Sequence, residues 1–228
     1  MCLSSNVFEQ ITDDYHCADC YNVFEKIPGV LDMTSQWEAD YKKSVEWART
    51  ILEKNNWCIL DTETTGLDTN AQIVQIGITT STNPEGWQTY VKPTIPISIE
   101  ATQIHGITSA LVKDASYFES IFLDVWKAIG NKDVIIYNAD FDLRLIRQSL
   151  KARGIQVAFP TSDRRGCRIF VNGGSIHCAM LNYSSFVGDY DDYFGNYILQ
   201  QLPGGDHSAL GDCKATLAII KEMAESNI

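Results

Sequence analysis

The chain has 228 residues, of which 45% are hydrophobic, 21% charged and 11% aromatic. That supports one packed domain, with or without a small appendage, and excludes a disordered or low-complexity protein. The net charge of −11 argues on its face against a nucleic-acid partner, but residues 1–41 hold eight acids and one base, Lys26, while the remainder holds 21 acids and 17 bases. The acidity is concentrated at the N-terminus, and a few carboxylates bound to divalent cations would balance the rest.

No apolar run approaches the ~20 residues of a membrane-spanning helix. Glu9, Asp13 and Asp14 stand where a signal peptide would be apolar. We read a cytoplasmic protein with no membrane partner. The seven cysteines are scattered and read as reduced thiols. Cys17-x-x-Cys20 has metal-ligand spacing, but a zinc site needs two more ligands and only Cys2 and His16 are near in sequence.

Residues 1–35 show little periodicity and are read as an acidic, partly helical extension preceding a domain over 36–228. Trp37, Tyr41, Val45, Ala48 and Leu52 recur at helical spacing and predict a helix over 36–54. Trp57-Cys58-Ile59-Leu60 predicts a buried strand, and Thr65-Gly66 a turn. Residues 72–81 and 86–92 are rich in β-branched and aromatic side chains and continue the first strand as a meander. A helix follows over 117–129, a buried strand over 133–137 and a second helix over 140–152. Residues 155–206 give the weakest pattern, with one strand expected near 176–180 and then a loop rich in Tyr, Phe and Asp over 186–197. Leu210, Cys213, Leu217, Ile220 and Met223 mark the last helix. The order predicts an α/β domain with a mixed central sheet, an antiparallel meander and flanking helices.

Three places along this order carry chemistry. Asp61-Thr62-Glu63 ends the first strand, and side chains two apart on a strand point the same way. Two carboxylates side by side are costly unless a cation lies between them or one is protonated. Asp140 and Asp142 both open the helix after the fourth strand, where an acid can also be a simple cap. His207 and Asp212 are five residues apart. They cannot share a helical face, so they converge only if His207 lies in the loop that Pro203-Gly204-Gly205-Asp206 begins.

Taken together, Asp61-Thr-Glu-Thr-Thr-Gly-Leu67, Ile104-His-Gly-Ile-Thr108, Asn138-Ala-Asp-Phe-Asp142 and His207-x4-Asp212 resemble the DEDDh 3′→5′ exonucleases. These are the relatives of the proofreading subunit of bacterial replicative polymerases and of ribonuclease T. The resemblance covers about 57–225 and implies a ribonuclease-H-like fold. It implies that Asp61, Glu63, Asp142 (rather than Asp140) and Asp212 hold two divalent cations, Mg²⁺ or Mn²⁺, whose preference for hard oxygen ligands fits this set. It implies that His207 is the general base, a task suited to an imidazole. The substrate would be the 3′ end of single-stranded nucleic acid, DNA favoured over RNA, and the product a 5′-mononucleotide. Thr64, Thr65, Gly66, Leu67, Ile104, His105 and Phe141 resemble positions that touch the terminal nucleotide, although Leu67 and Phe141 read equally well as core packing. The strand at 176–180 carries His177 where the family often has an aspartate.

Arg144, Arg147, Lys151, Arg153, Arg164, Arg165 and Arg168 form a basic cluster opposed only by Asp163. It could guide the backbone of a single strand or be an ordinary solvated face. Two readings stand beside the nuclease: a catalytically silent nucleic-acid-binding domain on the same fold, and an interaction protein whose acidic N-terminal segment docks on a polymerase or another basic partner. The complete set of four acids and a histidine speaks against the first, and the second is compatible with the nuclease.

Overall fold

The computed structural model of the chain describes residues 33–156, 167–169 and 174–228. Two compact units divide at Ala39 and Asp40. Of the first, Met1–Ala39, the described part is the opening of helix α1 (Met33–Lys54), which starts three residues before the predicted helix. Cys2, His16, Cys17 and Cys20, the start of the acidic extension, and Arg164 and Arg165 of the basic cluster lie outside the described residues.

The second unit, Asp40–Ile228, is built on a six-stranded sheet of order β3-β2-β1-β4-β6-β5. Its first three strands are β1 (Trp57–Thr64), β2 (Ile73–Thr80) and β3 (Asn83–Tyr90), which form the antiparallel meander expected from the sequence. Strand β4 (Asp133–Ile136) runs parallel to β1, and β6 (Ser175–Cys178) runs parallel to β4. Strand β5 (Cys167–Ile169) pairs antiparallel with β6 at the edge.

Alternation along β1 sends its side chains to two cores. Cys58 and Leu60 face a core with Phe118, Val125 and Ile129 of α4 (Phe118–Ile129) and Leu143, Ile146 and Leu150 of α5 (Ala139–Lys151). Trp57 and Ile59 face the other, with Ala48 and Ile51 of α1 and Cys213, Leu217, Ile220 and Met223 of α7 (Ala209–Glu225). Gly77 of β2 is what lets α7 settle on the sheet. A β-carbon there would collide with the backbone of Ala209. The close approach brings the Cys213 thiol to 3.4 Å from the Gly77 carbonyl.

Six of the described elements were not legible in the sequence, among them the short edge strand β5. Helices α2 (Ile99–His105) and α3 (Ser109–Val112) are too short for periodicity to show. Helix α2 is marked instead by its ends: Ser98 Oγ accepts from the Ala101 N–H at 3.0 Å, and Gly106 closes it at φ +71°. Helix α6 (Ala179–Val187) follows β6 with no turn between, so the apolar run at 176–180 spans a strand end and a helix start. The segment expected as a loop holds a small hairpin, β7 (Tyr190–Asp191) and β8 (Asn196–Tyr197).

Candidate active site

Strand β1 continues past its apolar run, so Asp61 and Glu63 are strand residues with side chains on the α7 face. Asp61 pairs in register with Gly77, and Glu63 with Gln75. Because Gly77 offers no side chain, the start of α7 fits over Asp61 and carries Asp212 to the two strand acids. One carboxylate oxygen each of Asp61, Glu63 and Asp212 lies within 4.8 Å of the others.

The fourth acid arrives from the opposite face. Helix α5 begins after β4, beside the end of β1, and Asp142 in its first turn is only 3% exposed. Thr62, the strand residue between the two acids, points toward α5 and donates its hydroxyl to Asp142 Oδ1 at 2.7 Å. Asp140 is exposed and does not line the cleft.

The loop ahead of α7 is pinned to Asp212. Oδ1 of Asp212 accepts the backbone N–H groups of Asp206, at 2.9 Å, and of His207, at 3.2 Å. His207 has a left-handed backbone, φ +58°, which few non-glycine residues adopt. Ser208 caps α7 by accepting the Gly211 N–H at 3.1 Å, and Gln75 and Gln88 accept the N–H groups of Ala209 and Leu210. The helix start is thus fixed to β2 and β3, and His207 sits in the loop before it.

Asp61, Glu63, Asp142, His207 and Asp212 line one open cleft of ≈ 1060 Å³, together with Leu67, Ile104 and Phe141. Leu67 and Ile104 are 76% and 58% exposed, which is a poor fit to core packing. Thr64, Thr65, Gly66 and His105 do not line the cleft. Their polar atoms build the turn that presents Leu67. Thr64 Oγ1 accepts the Gly66 N–H at 3.0 Å, and Thr65 Oγ1 accepts the Gln72 N–H at 3.0 Å. His105 Nδ1 accepts the Ile107 N–H, so its Nε2 carries the hydrogen donated to the Thr64 carbonyl, 3.0 Å away. Tyr137, Met180, Leu199, Gln200 and Leu202 complete the cleft wall. Sequence patterns gave no sign of them, because they come from a strand end, a helix start and an irregular segment. The Tyr137 hydroxyl ties that segment down by donating to the Gln200 carbonyl at 2.8 Å.

The carboxylates repel one another at the largely buried floor of this cleft. Burial, and then the charges of Asp142, Glu63 and Asp212, hold Asp61 well above the usual carboxylate range. Burial and the facing Asp212, Asp142 and Asp206 push Glu63 up to about 8. Burial raises Asp142 to about 7 against the pull of the Thr62 hydroxyl. Burial also raises Asp212, opposed by the two loop N–H groups. The cleft's one lining cation among the described residues, Arg144, lies over the Phe141 ring and donates to the carbonyls of Leu67 and Asp68. A cluster of hard oxygen donors whose charge no arginine or lysine meets fits a divalent cation.

The mixed sheet and its meander form a ribonuclease-H-like fold with an acidic cleft beside the end of β1, and comparison with known proteins gives its family. The RNase T exonuclease family model matches residues 58–220. Uncharacterized exonuclease CP81 of Escherichia phage 186 is 36% identical over 176 residues, 73% of this chain and 87% of that protein. The DNA polymerase III epsilon subunit of Buchnera aphidicola is 37% identical over 100 residues, 40% of this chain and 43% of the subunit. Escherichia coli exonuclease I in complex with a dT13 oligonucleotide shares the fold at TM-score 0.57 and 16% identity, over 75% of this chain and 41% of that one. The chain belongs to the RNase T exonuclease family. It is a nuclease of a divalent-metal-dependent family. No helix among the described residues is long and apolar enough to cross a membrane.

Proposed function

We propose that this protein is a 3′→5′ exonuclease that removes 5′-mononucleotides from the 3′ end of single-stranded nucleic acid, with DNA favoured over RNA. The observation that carries this reading is the convergence of Asp61, Glu63 and Asp212 within 4.8 Å at a cleft also lined by Asp142 and His207. Asp61, Glu63, Asp142 and Asp212 would hold two cations, Mg²⁺ or Mn²⁺. Bound there, the cations would stabilise the attacking and leaving oxygens of a phosphodiester displacement.

The chain's own residues do the rest. His207, on a loop locked to Asp212, takes the proton from the attacking water. Leu67, Ile104 and Phe141 offer apolar surface to the terminal base and sugar, and the turn 64–66 sets the position of Leu67. The preference for DNA is supported by the relatives that are subunits of a DNA polymerase. Residues 1–35 are proposed as an acidic extension outside a nuclease domain over 36–228, able to dock on a polymerase or another basic partner. Deleting them should weaken partner binding and leave the nuclease rate intact.

The test is to incubate 5′-labelled single-stranded DNA and RNA of one sequence with Mg²⁺, Mn²⁺ or EDTA, beside Asp61→Ala. A metal-dependent ladder that shortens from the 3′ end, faster on DNA and absent in the variant, is expected. An undiminished ladder in Asp61→Ala would remove the assignment of the cluster.

A further inference from the structure

A second concave site adjoins the cleft. It occupies ≈ 420 Å³ between the loop holding Thr69 and Asn70 and the exposed side of α5. Its cationic lining is Arg144, Arg147 and Lys151, at positions i, i+3 and i+7 of α5, which is one face of the helix. No acid among the described residues lines it. Arg144 lines both this pocket and the catalytic cleft, so the two flank one side chain.

The cation in the turn after this helix behaves differently. Arg153 donates to Glu119 at 2.7 Å and lies over the Tyr117 ring, so it holds two elements together. Arg147 and Lys151 make no ion pair among the described residues. Among the described residues, buried Arg147 Nη1 has no acceptor and buried Gln148 Oε1 no donor, although Gln148 Nε2 donates to the Thr69 carbonyl. A buried guanidinium N–H without an acceptor is costly unless an anion completes it. From Arg144 to Lys151 the helix rises about 10 Å. That spans two or more phosphates of a strand at about 3.4 Å of rise per stacked nucleotide.

We propose that this pocket binds backbone phosphates of the substrate strand on the 5′ side of the nucleotide being removed. Arg144 hands the strand from the catalytic cleft to Arg147 and Lys151. The pocket contributes to holding long strands and nothing to the chemistry of the terminal bond. The inference rests on the exonuclease reading given above, and its test separates the two.

The full chain and its Arg147→Gln and Lys151→Gln variants are compared in two assays. The first is fluorescence anisotropy with fluorescein-labelled dT12 in Ca²⁺ across a salt series. The second is hydrolysis of dT12 and of the p-nitrophenyl ester of dTMP, which has no upstream phosphate. Each variant should weaken dT12 binding about tenfold and reduce the slope of log K against log salt by roughly 0.7 per lost contact. KM for dT12 should rise in step, while kcat/KM on the ester stays at the wild-type value. Unchanged affinity and KM for dT12 in both variants would overturn the pocket and leave the exonuclease standing. If the wild type hydrolyses neither substrate, the exonuclease reading fails, and the anisotropy alone judges the pocket by the same tenfold criterion. An equal loss of affinity for free dTMP, read by its competition with labelled dT12 in the anisotropy assay, would assign the pocket to a mononucleotide and overturn the backbone proposal.

Discussion

Thr62 shows how one side chain joins the two halves of the candidate site. The strand's alternation turns Asp61 and Glu63 to one face and Thr62 to the other, where its hydroxyl meets the buried Asp142. Replacing Thr62 with Val removes the side-chain donor to that carboxylate, leaving the backbone N–H groups of Thr62 and Asp142, and should cost about 1.5–3 kcal/mol of stability. Thr62→Ser should recover most of it, and chemical denaturation of the three proteins measures both. His207 acts at the same scale. We expect His207→Ala to lower the hydrolysis rate about 10²–10⁴-fold while leaving Mn²⁺ affinity unchanged. A parallel loss of metal affinity would make it a ligand. The acids and the histidine were legible because their motifs together resemble one family, while each alone reads equally as a strand end, a helix cap or a surface group. Thr62 was not, because a threonine in a strand looks like any β-branched residue.

At the scale of elements, the site depends on how closely α7 lies on the meander. Gly77 faces the Ala209 backbone, and Gln75 and Gln88 receive the first N–H groups of the helix. Gly77→Ala should therefore shift α7 and Asp212 with it. The expected cost is about 1–3 kcal/mol in stability, with a larger loss of activity than the loss of folded protein explains. Thermal unfolding and rate, read on the same preparation, test this. The long elements were legible from periodicity, as with α4, α5 and α7, whose apolar residues recur over at least three turns. Helix α2 and the β7–β8 hairpin were not. Their seven and two-plus-two residues are too few to carry a period, and tertiary contacts such as Tyr197 with Asp40 hold the hairpin in place.

At the scale of the molecule, the acidic cleft is a destabilising feature that a cation would relieve. Glu63 ordinarily titrates at 4.5 and reaches about 8 in the fold, so the folded chain holds that proton more tightly than the unfolded one. Its contribution is favourable at low pH and is lost as pH rises from 4.5 toward 8. In EDTA, the melting temperature should fall across that window. Saturating Mg²⁺ or Mn²⁺ should remove the fall and raise the melting temperature by roughly 5–10 °C at a hundredfold excess over Kd. A scan of melting temperature against pH, with and without metal, reads the effect directly. The acids of the cleft would balance bound cations, and the bases on α5 line the neighbouring pocket.

The most direct test of the central claim is to count the cations. Mn²⁺ is titrated into the wild type and Asp61→Asn while free Mn²⁺ is followed by electron paramagnetic resonance, and hydrolysis of a single-stranded DNA is measured on the same samples. The wild type should take up two Mn²⁺ per chain, and Asp61→Asn should lose both Mn²⁺ uptake and hydrolysis together. A wild type that binds no Mn²⁺, or an Asp61→Asn that binds it equally well and still cuts, would contradict the account.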